Sequence, residues 1–284
     1  MSTNAPTFMD RFNTALLKVL PQHGLSALMH RLARSEITWL KNMIIKFVVK
    51  NFNVDMTLAI EENPLAYASF NKFFTRQLKP EVRPIATEGL ASPVDGKVSQ
   101  CGAIKVDRLI QAKGHEFTLF SLLAGDGMTA SQFEWGDFAT IYLSPRDYHR
   151  IHMPIDGTLR EMVFVPGNLF SVSEATTQLI PELFAKNERV ICLFDTTKGP
   201  LALILVGAIF VGSMETVWHG EVRGDKYKPT RWTYAGEEAP SFKKGEEIAR
   251  FNMGSTIIML HPQHAVDYMD LQGQSVVMGQ QIAH

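Results

Sequence analysis

The chain has 284 residues, 45% of them apolar, and a net charge of −1 at neutral pH. That length supports a sizeable core, and the near-neutral balance gives no global argument for a nucleic-acid partner. The two cysteines, Cys101 and Cys192, form no CxxC pair, which excludes a disulfide framework and a zinc knuckle.

Charge is unevenly spread. In the first fifty residues Arg11, Lys18, Arg31, Arg34, Lys41, Lys46 and Lys50 face only Asp10 and Glu36. Phe8, Phe12, Leu16 and Val19 recur at helical spacing, and Pro21 closes that segment. The next stretch, "ITWLKNMIIKFVVKNF", sets Trp39, Met43 and Phe47 among Lys41, Lys46 and Lys50. Such a segment either lies in a membrane interface, its ammonium groups toward anionic head groups, or packs as an amphipathic helix on its own domain. No secretory signal pattern opens the chain, and no run reaches the roughly 18 apolar residues of a membrane-spanning helix. The apolar stretch "LALILVGAIFVG" at 201–212 reads as buried β structure.

"SFNKFFTRQLKPEVRPI" predicts a helix ending before Pro80 and Pro84, then an extended connector. Beyond it short strand-like runs alternate with turn signals: "GKVSQCGAIKV", "FATIYLSP", "GTLREMVFVPG", "RVICLFDTTKGP", "ARFNMGSTIIML" and "QSVVMG". Helical interruptions fall at "TLFSLLAG" and "TTQLIPELFAK". The expectation is an α+β protein: N-terminal amphipathic helices over 1–62, then a β-rich sandwich or barrel-like catalytic body over 63–284.

Three places carry chemistry. Asp95 precedes Gly96 in "SPVDGKVSQ", His149 and His152 stand three apart in "SPRDYHRIHMP", and Gly254-Ser255 interrupts a strand-like run. An Asp-Gly step is often only a turn, and a strand glycine often only a bulge. The His pair lacks the HExxH pattern or a further ligand at a familiar spacing, so no metal is expected. Asp, His and Ser on separate segments suggest a serine hydrolase, yet the chain has no G-x-S-x-G elbow. A serine inside an apolar run has its own peptide bond as the nearest electrophile. Attack on the Gly254 carbonyl gives an ester by an N-to-O acyl shift, and Gly leaves that carbonyl open. Elimination then ends one chain at Gly254 and leaves dehydroalanine at 255, which becomes a pyruvoyl group on loss of ammonia.

These segments, together with "LIQAKGHEFTLFSLLAG", "VPGNLFSVS", "NERVICLFDT" and "GSMETVW", resemble the bacterial, membrane-associated phosphatidylserine decarboxylases over nearly the whole chain. The family carries Leu-Gly-Ser-Thr at its self-cleavage site; here Met253 takes the first position, a volume-conserving change. The resemblance implies cleavage into chains 1–254 and 255–284, with Ser255 as nucleophile and pyruvoyl precursor. It implies that His152 activates Ser255, that Asp95 orients His152, and that His149 transfers a proton during decarboxylation. It places Ser171 near the bound head group. Phosphatidylserine would be held through a Schiff base to the pyruvoyl carbonyl and released as phosphatidylethanolamine, with no external cofactor or metal. The implied partners are an anionic membrane surface, the two chains of one precursor and a homodimer of the processed unit, at the cytoplasmic face of the cell membrane. Two other readings stay open: a pyruvoyl-dependent decarboxylase of a soluble amino acid, and a catalytically silent lipid-binding protein.

Overall fold

The computed structural model describes residues 6–112, 115–209, 213–253 and 255–284. Three helices open the chain, α1 (Phe8–Val19), α2 (Gln22–Ala33) and α3 (Thr38–Phe52). A capping box starts α1: the Thr7 hydroxyl accepts from the Asp10 N–H, and the Asp10 carboxylate accepts from the Thr7 N–H. Asn53, in the left-handed conformation, ends α3. Ile45 and Val48 of α3 pack with Phe70, Phe73 and Phe74 of α4 (Phe70–Phe74) in an apolar cluster. The Lys41 ammonium is buried in the same joint and donates to the carbonyls of Leu65 and Tyr67, both at 2.8 Å.

The helix expected over "SFNKFFTRQLK" is a single turn. It stops at Phe74 because the Thr75 hydroxyl back-bonds to the Asn71 carbonyl at 2.9 Å, while the Arg150 Nε–H takes the Thr75 carbonyl. The short helices Leu119–Leu122, Glu174–Thr177 and Leu183–Lys186 fall where interruptions were predicted.

The body is a nine-stranded antiparallel sheet facing a four-stranded one. In the larger sheet Gly199–Val206, Ser255–His261, Asp137–Leu143 and Gly96–Ala103 are consecutive neighbours. The smaller sheet runs Gly220–Glu221, Met214–Thr216, Glu247–Phe251, Arg150–His152. One apolar layer joins the two: Ile141, Leu203, Ile257 and Met259 of the large sheet meet Ile151, Met214, Ile248 and Phe251 of the small one. The other face of the large sheet, with Ile204, Ile258 and Leu260, packs on Leu119, Leu122, Leu183 and Phe184. Strand Ser255–His261 therefore lies between two layers and is buried along its whole length, which accounts for its unbroken apolar run. The α+β expectation holds, with the sheets stacked as a sandwich.

Candidate active site

Ser255 is the first residue of that central strand and is paired with Leu143, the last residue of the strand beside it. Antiparallel pairing thus puts Ser255 next to the turn that leaves Leu143 and carries Ser144, Asp147, Tyr148 and His149. On the other side of the cleavage segment, the Phe251 N–H donates to the His149 carbonyl at 3.0 Å. The chain consequently enters Asn252 from beside the histidine-bearing loop. Gly254 lies outside the described residues. The Ser255 side chain is fully buried, and its Oγ has no hydrogen-bond partner among the described residues. A buried orphan hydroxyl costs stability and calls for an explanation; a hydroxyl held for chemistry on its own backbone supplies one, and it fits a pyruvoyl precursor.

His149 is likewise fully buried, with its ring 4.0 Å from the Phe74 ring centroid. Its Nδ1–H donates to the Asp147 carbonyl at 2.8 Å, which fixes the tautomer and leaves Nε2 a lone pair with no partner among the described residues. Burial pushes its pKa down to about 3, so the ring is neutral near pH 7. His152 sits on strand Arg150–His152, where its N–H donates to the Pro93 carbonyl at 2.9 Å and draws the Asp95 turn alongside. Its Nδ1–H donates to the Gly245 carbonyl at 2.8 Å, and its Nε2 accepts from the Tyr148 hydroxyl at 2.9 Å. Burial lowers its pKa as well, opposed first by the hydrogen bond to Gly245 and then by the carboxylates of Glu247 and Asp95.

The oxygens of Asp95, the residue expected to orient His152, make their hydrogen bonds to other groups. They accept from Arg83 Nε at 2.9 Å, Arg83 Nη2 at 2.6 Å and the Met278 N–H at 2.8 Å. The ring of His152 is set instead by Gly245 and Tyr148, and Asp95 reaches it only through space. Arg83 and Tyr148 were missed by sequence reasoning, although both lie within the segments that carry the family resemblance. Their positions carried no signal beyond proximity to Pro84 and to the His pair.

Two cavities flank this centre and share Lys97 and Tyr142. The smaller, about 360 Å³, is lined by Asp95, Arg76, Asp147 and Tyr148. The larger, about 1070 Å³, is lined by Thr256, Gln111, Val172 and Phe184. Ser171 precedes Val172 on the loop beside the larger cavity, and its Oγ accepts from the Ser173 N–H at 3.3 Å. Among the described residues no group of three or more His, Cys, Asp or Glu is placed to hold a metal ion.

The buried neutral groups set a pH dependence. His149 and His261 both have pKa values pushed down to about 3 by burial, from 6.5. Their stabilisation is complete above the unfolded value and is lost as pH falls towards the folded one, by about 1.4 kcal/mol per pH unit each. Glu188 runs the other way, because burial raises its pKa from 4.5 to about 7 and so it gains stability as pH falls. Between pH 7.5 and 5.5 the two histidines remove about 3 kcal/mol and Glu188 returns about 2 kcal/mol. In urea unfolding of an uncleaved chain over that range, Glu188→Gln should therefore deepen the loss of stability by about 2 kcal/mol.

A buried serine hydroxyl at the head of the central strand, in register with the residue that opens the turn to His149, suits a self-processing enzyme. A family model described as "Phosphatidylserine decarboxylase" matches residues 70–284, and a second, described as "PSD", matches residues 12–53. Curated relatives named phosphatidylserine decarboxylase proenzyme include that of Marinobacter nauticus, 53% identical over 267 residues and 93% of each chain. That of Alkalilimnicola ehrlichii is 52% identical over 257 residues and 89% of each chain. That of Vibrio cholerae is 48% identical, covering 97% of this chain and 99% of its own. The chain belongs to the phosphatidylserine decarboxylase family.

Proposed function

We propose that the chain removes the carboxylate of phosphatidylserine as carbon dioxide, leaving phosphatidylethanolamine, through a pyruvoyl group that it makes from its own Ser255. The observation that carries this reading is the buried, unpartnered Ser255 hydroxyl at the head of the central strand, in a chain of this family. The serine oxygen attacks the Gly254 carbonyl and gives up its proton to His152, whose Nε2 is freed when Tyr148 releases it. That proton passes to the departing amide nitrogen, and the peptide becomes an ester. Loss of the Cα proton with cleavage of the ester C–O bond leaves a carboxylate at Gly254 and dehydroalanine at 255. Addition of water and departure of ammonia complete the group.

The pyruvoyl group then supplies a carbonyl electron sink, as an external cofactor would. His149, neutral and with Nε2 free, is suited to carrying a proton at the carbon that loses carbon dioxide. Asp95 and its Arg83 partner hold the Met278 backbone beside that centre, and Ser171 lies where the head group would rest. Residues 1–62 are assigned to contact with an anionic bilayer and residues 63–284 to catalysis. We assign that contact to the cytoplasmic face, as a peripheral one; no helix among the described residues is long and apolar enough to cross a membrane.

The test is the intact mass of purified protein under denaturing conditions, beside turnover of phosphatidylserine and of free serine. Two pieces are expected, the small one starting at position 255 and lighter than an N-terminal serine would make it, with turnover of the lipid only. Turnover of free serine would replace the lipid with a soluble amino acid. A single uncut mass with no turnover would leave a lipid-binding protein.

A further inference from the structure

Asn252, two residues before Gly254, is a buried amide in an otherwise apolar approach to the cleavage segment. Its Nδ2 donates to Ser213 Oγ at 2.6 Å, and its N–H donates to the Ser213 carbonyl at 3.2 Å. This extends by one step the ladder in which Met214 pairs with Phe251. From the other side Asn71 Nδ2 donates to Asn252 Oδ1 at 3.0 Å and to the Asn252 carbonyl at 3.3 Å. Asn71 belongs to α4, whose Phe74 packs on His149.

Both lone pairs of the Ser213 hydroxyl are taken, since it also accepts from Arg34 Nη2 at 3.3 Å. Glu221 is held in turn by Arg34 at 3.5 Å and by His30 at 3.0 Å. His30 lies in α2 and Arg34 caps its C-terminus. An unbroken set of polar contacts thus runs from the end of α2 through Glu221 and Ser213 to Asn252, and on to the helix that backs His149.

We infer that Asn71, Ser213 and Asn252 are positioning residues for self-cleavage, and that through them the seating of α2 on the catalytic body sets the approach of the segment leading into Ser255. The inference rests on the self-cleavage reading above. An acyl shift requires the serine oxygen in line with a carbonyl, and an error of about 1 Å in such an approach costs on the order of a hundredfold in rate. A buried polar network is a costly way to fill space unless every member is satisfied; when satisfied, it fixes one geometry.

The experiment follows cleavage of freshly synthesised full-length chain by denaturing gel. Asn252→Ala and Ser213→Ala should each lengthen the half-time at least tenfold, and Ser213→Thr, which keeps the hydroxyl, should stay within about threefold of the parent. Arg34→Ala, remote from the bond, should slow cleavage severalfold. Combined with Asn252→Ala it should add nothing further, because both act through one network. Hydroxylamine, which cleaves an ester already formed, should not restore the rate of Asn252→Ala. Melting of the same substitutions in an uncleavable Ser255→Ala background separates positioning from loss of fold. Parent-like cleavage of Arg34→Ala and Ser213→Ala, additive effects, or slowing that merely tracks the melting temperature would overturn the network while leaving self-cleavage in place. A parent chain that stays whole would remove both.

Discussion

A chain carrying Ser255→Ala is expected to remain a single piece, to turn over no phospholipid, and to melt no lower than an uncleaved parent. The first two effects are all-or-none, because alanine has no oxygen to attack the Gly254 carbonyl. The third follows from burial. The Ser255 hydroxyl is fully enclosed and unpartnered, and a polar group in that state costs about 1–3 kcal/mol, which alanine recovers. His152→Ala should also stay whole, since the proton of the attacking hydroxyl then has no acceptor. His149→Ala should be cut yet lose about 10²- to 10⁴-fold in turnover, the ordinary contribution of a positioned proton carrier. Cleavage of Ser255→Ala, or full turnover by it, would remove the serine from the chemistry. Denaturing gel with intact mass, carbon dioxide release and thermal melting read the three effects separately.

A cut between 254 and 255 would not free the small piece. Its strand Ser255–His261 is paired on both sides, to Asp137–Leu143 and to Gly199–Val206. Ile257, Ile258, Met259 and Leu260 are all fully buried, and each contributes about 1.5–3 kcal/mol of apolar burial. Strand Gln281–Ala283 adds a second attachment, to Leu90–Ala91. The location of the serine reconciles two demands. The scissile bond has to be open to its own catalysts, while the new chain end has to stay put.

Where the sequence was legible, the signal was local. Phe8, Phe12 and Leu16 with Pro21 behind them define α1, and the unbroken run after Ser255 reads as a strand covered on both faces. Asp95, His149, His152 and Ser255 stand out because polar groups of those types interrupt apolar surroundings. Their partners do not, because partner choice is decided across long stretches of chain. Arg150–His152 lies beside Glu247–Phe251, with His152 opposite Glu247, and no periodicity announces that pairing. The same distance hides the Tyr148 hydroxyl on His152, the Arg83 fork on Asp95, and the Asn71–Asn252 contact. The sequence predicts too long a helix after Ser69 because propensity does not register that Arg150, from a remote strand, claims the Thr75 carbonyl. Helical period also does not say which way an apolar stripe faces. In α1 it faces outward, while α3 is apolar on two sides, with Ile45 and Val48 toward the core and Trp39, Met43 and Phe47 outward.

That outward stripe carries the second large effect. Phe8 is 83% exposed, Trp39 69% and Phe47 62%, with Phe12, Leu16 and Met43 also exposed on the same helices. A folded protein seldom leaves so much apolar surface uncovered without a use for it. A diacyl lipid leaves a bilayer at a cost of roughly 0.8 kcal/mol per CH₂, so a decarboxylase of phosphatidylserine has to come to the membrane. Lys46 and Lys50, on the same helix as Trp39 and Phe47, add attraction to an anionic surface that salt screens. Replacing Trp39 and Phe47 together by glutamate removes two side chains worth about 1.5–3 kcal/mol each when buried. Binding to vesicles containing phosphatidylserine should fall by about 10²- to 10⁴-fold, and turnover of bilayer substrate should fall with it. Self-cleavage and turnover of a short-chain, water-dispersed phosphatidylserine should persist, because neither side chain is part of the core around α4. Flotation of the double variant with vesicles at the parent's affinity would show that the bilayer contact lies elsewhere on the chain. Loss of self-cleavage as well would mean that the stripe supports the fold rather than a lipid surface.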